Sequence, residues 1–281
     1  MNKIRVLRLL SGAVLAVLGV AVHAEDASVV PFTLSWNLGV VSEYVSRGFR
    51  MNWGQPAVQG SVDFVHRSGF YASLWGSQVS ERYYANGTVE VDLLTGYRGS
   101  FNDQVSYDIG LGAYFYPGAD FSRFKPDYNA SGRYDTLEAT FGVTWRWLNL
   151  KYSHALSNYY GYDDENVPLI VWNSGVLGGV RPGKDTRGAG YFEANANFDL
   201  GQGVGLALHA AHQHVPNSHQ LDYQDYRAGV SKAFSQGWSA TVSASTTKGA
   251  DLYGDFLAAD GSGRSRDIGG LIWVIGVNKA F

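Results

Sequence analysis

From residue 32 to the last residue, segments of about ten residues alternate apolar and polar positions. That two-residue period is the mark of a β-strand with two unlike faces. A first segment, about 32–44, puts Phe32, Leu34, Trp36, Leu38 and Val40 on one face and Thr33, Ser35, Asn37 and Glu43 on the other. A second sets Val58, Val62 and Phe64 against Gln59, Ser61 and Asp63, and a third runs over about 70–79 with aromatics on both faces. The fourth opposes Val89, Val91 and Leu93 to Glu90 and Asp92, with Arg98 further along. The fifth opposes Tyr107, Ile109 and Leu111 to Ser106 and Asp108. The cleanest repeat sets Leu137, Ala139, Phe141, Val143, Trp145 and Trp147 against Thr136, Glu138, Thr140, Thr144 and Arg146. Next come a segment with Leu150 and Tyr152 opposite Lys151, one with Phe192 and Phe198 opposite Glu193 and Asp199, and one carrying Leu206 and Leu208. Then Tyr226 and Val230 oppose Asp225 and Arg227, and Trp238 and Val242 oppose Ser239 and Thr241. The final segment, 271–281, places Leu271, Trp273, Ile275, Val277 and Phe281 on one side.

These twelve segments are joined in two ways. Short turns fall at about 67–69, 99–103, 147, 201–203 and 235–237; longer connections lie near 47–56, 80–87, 117–134, 155–187, 214–222 and 248–267. Sorting by parity is what a transmembrane antiparallel β-barrel shows, with short periplasmic turns, long extracellular loops and an even strand count. A soluble sandwich has no reason to sort its connections this way. The expected fold is therefore all-β: one 12-stranded barrel, closed because lipid cannot satisfy an open sheet edge. Residues 167–180 are apolar enough to add a hairpin, which would make the count 14; otherwise the loop at 155–187 folds over or into the mouth.

The N-terminus fits an exported chain. Lys3, Arg5 and Arg8 precede an apolar run over 9–22 and then Val22-His23-Ala24, a secretory signal expected to be cleaved after residue 24. The single barrel domain then occupies 25–281. The apolar run is too short to span a bilayer comfortably as a helix, and no later stretch approaches the ~20 apolar residues needed. There is no cysteine, so no disulfide stabilises the fold. Without the signal, 19 basic residues face 25 acidic ones, which excludes a polybasic nucleic-acid surface. A C-terminal aromatic closing a strand is typical of outer-membrane barrels, so Trp273, Ile275, Val277 and Phe281 are expected to be read by the barrel-assembly machinery. Lys279, a charge on that face, can snorkel to an interface.

Parity also sorts the charges. Glu43, Asp63, Glu90, Asp92, Asp108, Glu138, Glu193, Asp199 and Asp225 are expected inward with Arg98, Arg146, Lys151 and Arg227. Facing a lumen they are hydrated, whereas Arg or Lys on the lipid face at mid-depth costs ~2–4 kcal/mol. The expected function is passive diffusion of small polar solutes with a weak preference for cations. The rival for the same charges is a barrel packed shut by internal salt bridges. Trp36, Tyr44, Tyr97, Trp145, Trp147, Tyr152 and Trp238 fit girdles at the interfaces with outer-membrane lipids and lipopolysaccharide. Tyr114, Tyr116, Tyr159 and Tyr160 fall at or in long loops, where sugar stacking is conceivable.

Other chemistry is sparse. His209, His212, His214 and His219 cluster, and His212 shares a strand face with His214, but no nearby spacing supplies a carboxylate or cysteine to complete a metal site. Gly175, Gly178 and Gly179 lack the strand-to-helix setting of a phosphate loop. Ser153 and His154 are adjacent, so as strand residues they face opposite ways and cannot pair for lipid hydrolysis, and no Gly-x-Ser-x-Gly is present. No cofactor or metal is expected. The alternatives to a channel are an adhesin-like or structural barrel acting through its loops and, below it, a lipid-modifying enzyme.

Ser46-Arg47-Gly48-Phe49, Pro56-Ala-Val-Gln-Gly60, Gly69-Phe-Tyr-Ala-Ser-Leu-Trp-Gly-Ser77, Glu90-Val-Asp92 with Gly96-Tyr97, and Tyr107-Asp-Ile-Gly-Leu followed by Tyr114-Phe-Tyr-Pro-Gly118 resemble the TorF family of outer-membrane porins. The match is dense over 34–118 and looser beyond, and the ending Lys-Ala-Phe281 agrees. Where that family often has a small polar residue after Ser-Arg-Gly, this chain has Phe49-Arg50-Met51. The resemblance implies an outer-membrane channel and carries no established substrate.

Overall fold

The computed structural model describes residues 30–123, 132–163 and 185–281. Its strands are, in chain order, β1 (Phe32–Val41), β2 (Val45–Ser46), β3 (Phe49–Arg50), β4 (Ala57–His66), β5 (Phe70–Gln78), β6 (Val89–Ser100), β7 (Val105–Phe115) and β8 (Thr136–Trp145). They continue with β9 (Leu148–Ala155), β10 (Gly190–Gly201), β11 (Val204–His214), β12 (Tyr223–Ala233), β13 (Trp238–Lys248), β14 (Phe256–Leu257), β15 (Ser265–Arg266) and β16 (Ile272–Ala280). Four of these, β2, β3, β14 and β15, form two small hairpins in long connections. The other twelve form one closed antiparallel barrel in which each strand pairs with its sequence neighbours.

Closure joins the two ends of the chain. β1 pairs with β4 from Phe32↔His66 to Val41↔Ala57 and, on its other edge, with β16 from Asn37↔Ala280 to Val41↔Gly276. Every barrel strand among the described residues therefore has a partner on each side, as a strand protein in lipid requires. The wall is inverted relative to a water-soluble core. Leu34, Trp36, Leu38 and Val40 of β1, Phe141 of β8, and Trp273, Ile275 and Val277 of β16 are exposed on the outer face. Their neighbours Thr140, Val274 and Ile272 turn inward and are wholly or partly buried. The alternation along the chain is the alternation of the wall. It also settles the third segment: Phe70 and Leu74 face out, and Tyr71, Ser73, Trp75 and Ser77 face in.

The twelve-strand count and the parity of the connections agree with the sequence reading. Residues 167–180, which could have added a hairpin, lie outside the described residues, as do the expected signal residues 1–24. Two boundaries differ. β1 stops at Val41 rather than near 44, because the chain leaves the wall there and turns into the barrel. β8 stops at Trp145, and Arg146 adopts φ +55° in the turn to β9.

Candidate functional site

The connection from β1 to β4 does not extend outward. Its residues form the hairpin β2–β3, in which Ser46 pairs with Phe49 and Val45 with Arg50. A two-residue hairpin turn matches the twist of its strands when both central residues have positive φ. Arg47 (φ +46°) and Gly48 (φ +85°) meet that demand. Glycine does so freely. Arginine there costs about 1 kcal/mol, and the contacts of its side chain show what holds it.

Arg47 reaches across the lumen to the opposite wall. Its Nη1 donates to Glu138 Oε1 at 2.9 Å and its Nη2 to Oε2 at 2.6 Å, a bidentate fork on β8. Nη1 also lies 3.5 Å from Gln213 Oε1 on β11, and the guanidinium stands 4.5 Å above the Tyr191 ring of β10. Gly48 is pressed against β12 and β13: a Cβ on it would sit 2.7 Å from Asp225 Cβ and 2.6 Å from Thr247 Cγ2. At the hairpin's base Arg50 pairs with Glu43, and the Tyr44 ring packs 5.4 Å from that of Trp75 on β5. The hairpin therefore spans the lumen, tied to both walls.

The remaining inward groups line the wall around and beyond the hairpin. Asp63 on β4 accepts from Ser61 Oγ and Ser73 Oγ, each at 2.5 Å. Asp108 accepts from Tyr71 Oη at 2.9 Å and from Arg98 Nε at 2.5 Å, with the Arg98 guanidinium 4.1 Å over the Tyr71 ring. Lys151 and Glu193 pair at 3.4 Å. Asp225 Oδ2 accepts from Tyr191 Oη at 2.8 Å, and its Oδ1 is 3.0 Å from His209 Nε2. Glu90 Oε1 accepts from Tyr116 Oη at 3.0 Å, whereas Glu90 Oε2, Asp92 Oδ1 and Glu43 Oε1 have no hydrogen-bond partner among the described residues. Arg227 faces a small cavity lined also by Glu43, Gln59, Ser243 and Ser245, and makes no ion pair among the described residues.

Two expectations are corrected. Arg146 does not face the lumen: it is exposed in the β8–β9 turn, its guanidinium 5.4 Å from the Trp145 ring. Asp199 keeps its place in β10 but lies exposed at the same end, accepting from the Gly201 N–H at 2.9 Å. Tyr44 is not on the outer surface but buried inside, because β1 ends before it. In exchange the interior gains Arg47 and Arg50, which a count over wall strands alone misses. The signal for them was an Arg-Gly pair flanked by β-favouring Val45 and Phe49.

At the long-loop end the mouth is filled with rings. Tyr84 stacks on Tyr116 at 3.9 Å, Phe121 on Tyr134 at 3.9 Å, and Tyr83 on Phe256 at 5.3 Å. Phe49 of the hairpin packs 4.2 Å from Tyr253 and 4.6 Å from Tyr223. Tyr116 and Tyr159 are buried here, and Tyr114 and Tyr160 pack partly buried against them, so none is an open sugar platform. Burial pushes the Tyr159 phenol up to about 12, against the pull of the Arg47 guanidinium. Burial, and then the Glu90 charge, raise that of Tyr116. Both phenols stay protonated, and that of Tyr116 donates to Glu90.

On the outer face Trp36, Tyr97, Trp145, Trp147, Tyr152 and Trp238 are exposed, as are Trp273, Ile275, Val277 and Phe281. Phe281 stacks on Trp36 at 6.2 Å. Lys279 leans along the wall: its Nζ donates to Gln236 O and lies 5.7 Å from the Trp238 ring and 5.2 Å from that of Phe281. Ser153 is buried inside while His154 faces out, where its Nδ1 is 3.2 Å from Tyr152 Oη, so the two do not meet.

Among solved structures, the NanC porin is similar with TM-score 0.52 and 11% identity, covering 88% of this chain and 99% of that one. The KdgM porin scores 0.48 at 8% identity, covering 88% of this chain and 99% of that one. An outer-membrane channel from Pseudomonas putida scores 0.40 at 10% identity, covering 92% of this chain and 100% of that one. At such identities the NanC likeness establishes a shared porin-type barrel fold. No curated protein matches the sequence. The family model described as a bacterial protein of unknown function (Gcw_chp) matches residues 24–281, and the chain belongs to that family.

Proposed function

We propose that the protein is an outer-membrane channel of the TorF type, exported through a cleaved signal, which passes small polar solutes by diffusion and needs no cofactor or chemistry. The observation that carries this reading is the β2–β3 hairpin. It crosses the barrel interior and is held at its tip by a hydrogen-bonded ion pair, Arg47–Glu138, while Phe49 beside the tip packs into the aromatic cluster at the mouth. Glu43, Glu90 and Asp92 each bury a carboxylate oxygen with no partner among the described residues, which is costly in a closed interior and gives a reason for the hairpin to shift and let water reach them. Once hydrated, these carboxyls favour cations. The hairpin sets the constriction, and solute passes as it shifts from the wall.

A second reading is favoured by one observation: the long-loop mouth is packed with buried aromatic rings. A structural or adhesin-like barrel would show such a cap. Planar-bilayer recording of the refolded full-length protein separates the two. The channel reading expects discrete conductance steps and a reversal potential displaced toward the cation equilibrium in a salt gradient. A protein that inserts and gives no steps supports the second reading, and clear anion selectivity would overturn the charge argument.

A further inference from the structure

The strongest unassigned chemistry lies at the long-loop end, in the tight connection from β11 to β12. β11 ends in His214, a short 3-10 helix spans His219–Leu221, and Asp222 precedes β12. The segment between is held firmly. Val215 and Leu221 are fully buried and Ser218 nearly so. The backbone N–H groups of Ser218, Leu221 and Asp222 donate to Val215 O, Ser218 O and His219 O at 3.2, 2.9 and 3.0 Å. His214, His219 and Asp222 therefore stand on an anchored turn and not on a loose tip.

Their side chains converge. Asp222 Oδ1 accepts from the Val215 N–H at 2.6 Å, which fixes the carboxylate and points Oδ2 at the two imidazoles. His214 Nδ1 lies 2.9 Å and His219 Nδ1 3.3 Å from that one oxygen. The three candidate donor atoms all fall within 4.8 Å of one another. A tetrahedral zinc ion with bonds near 2.1 Å needs its ligand atoms roughly 3.4 Å apart, so the arrangement needs only small side-chain rotations to close on an ion. The carboxylate that the sequence alone did not supply is Asp222, and its second imidazole is His219 rather than His212, which faces outward from the wall.

We propose that His214, His219 and Asp222 form a binding site for a late first-row divalent cation such as Zn²⁺, with two imidazole nitrogens and one carboxylate oxygen as ligands and water completing the shell. The donor set is the one these borderline-soft ions take. Both imidazoles are exposed, so the site is open to the medium and the ion can exchange. Its place in the β11–β12 connection puts the ion at the rim of the barrel. The site stands independently of whether the barrel conducts.

The test is calorimetric titration of Zn²⁺ into untagged, refolded full-length protein in detergent. Wild-type protein is expected to bind one ion saturably. His219→Ala and Asp222→Asn are each expected to weaken binding by at least about tenfold, the scale on which even outer-shell changes act at metal sites. The side-chain amide of the Asp222→Asn variant keeps an oxygen that accepts from the Val215 N–H, so this variant retains the turn. Heat-modifiable mobility of the barrel in gels verifies folding. His212→Ala is expected to bind as wild type. No saturable binding by wild type, or undiminished affinity in both His219→Ala and Asp222→Asn, would overturn the assignment, as would loss in His212→Ala alone.

Discussion

The guanidinium of Arg47 forks onto the carboxylate of Glu138, 91 residues away and across the lumen, at 2.9 and 2.6 Å. This contact joins the tip of the β2–β3 hairpin to the wall opposite the strand it springs from. It also explains why a non-glycine residue tolerates φ +46° at the turn: a bidentate charged pair outweighs a backbone cost of about 1 kcal/mol. Removing one partner of a buried pair costs ~3–5 kcal/mol.

At position 48 the hairpin tip fits only a residue without a side chain. Gly48→Val places a Cβ against Asp225 and Thr247 and imposes positive φ on a β-branched residue. The expected outcome is a folded barrel with larger or noisier conductance steps and a lower melting temperature. Wild-type traces and melting from this variant would show that the tip does not rest where the geometry puts it.

In the proposed channel, cation preference would come from the inward carboxyls whose oxygens lack partners. Glu90→Gln with Asp92→Asn removes two of these carboxyls and changes no volume to speak of. The reversal potential in a salt gradient is expected to move toward zero. A potential equal to that of wild type would place the selectivity elsewhere in the lumen.

The C-terminal strand closes the barrel through its last residue as well as its ladder. The Phe281 N–H donates to Trp36 O at 2.9 Å and the two rings stack at 6.2 Å. If this end is read by the assembly machinery, Phe281→Ala should lower the heat-modifiable fraction in outer membranes while refolding in detergent changes little. Equal losses in both settings would point to stability alone.

Sidedness can be read directly on β8. Phe141→Cys is expected to react with a lipid-soluble maleimide and resist an aqueous one, and Thr140→Cys to do the reverse when the lumen is hydrated. Ready aqueous labelling of Phe141→Cys would contradict the outward face that the exposure of Phe141 implies.

Much of the wall was legible in the sequence, because a strand with lipid on one side and polar groups on the other writes its facing into every second residue. Leu137, Phe141 and Trp145 face out as their spacing requires. What the period could not reveal was where the chain leaves the wall. Alternation continues through Glu43 and Tyr44, so Tyr44 read as a girdle residue, yet the strand ends at Val41 and Tyr44 turns inside. Arg146 failed for a similar reason: it continues the dyad of β8 but occupies a turn with positive φ. The Arg47–Glu138 pair was beyond sequence reasoning altogether, since nothing local links a loop to a strand so far along the chain. Asp222 joined His214 and His219 only because a short 3-10 helix folds the connection back on itself.

The constriction is tested most directly by single-channel conductance of Arg47→Ala beside Glu138→Gln in the same planar bilayers as wild type. Both variants loosen the fork that holds the hairpin to the far wall, one from each side. Both are expected to raise conductance or open frequency, and the double variant to add little to either single one. Conductance unchanged in both folded variants would contradict the claim that this hairpin sets the constriction.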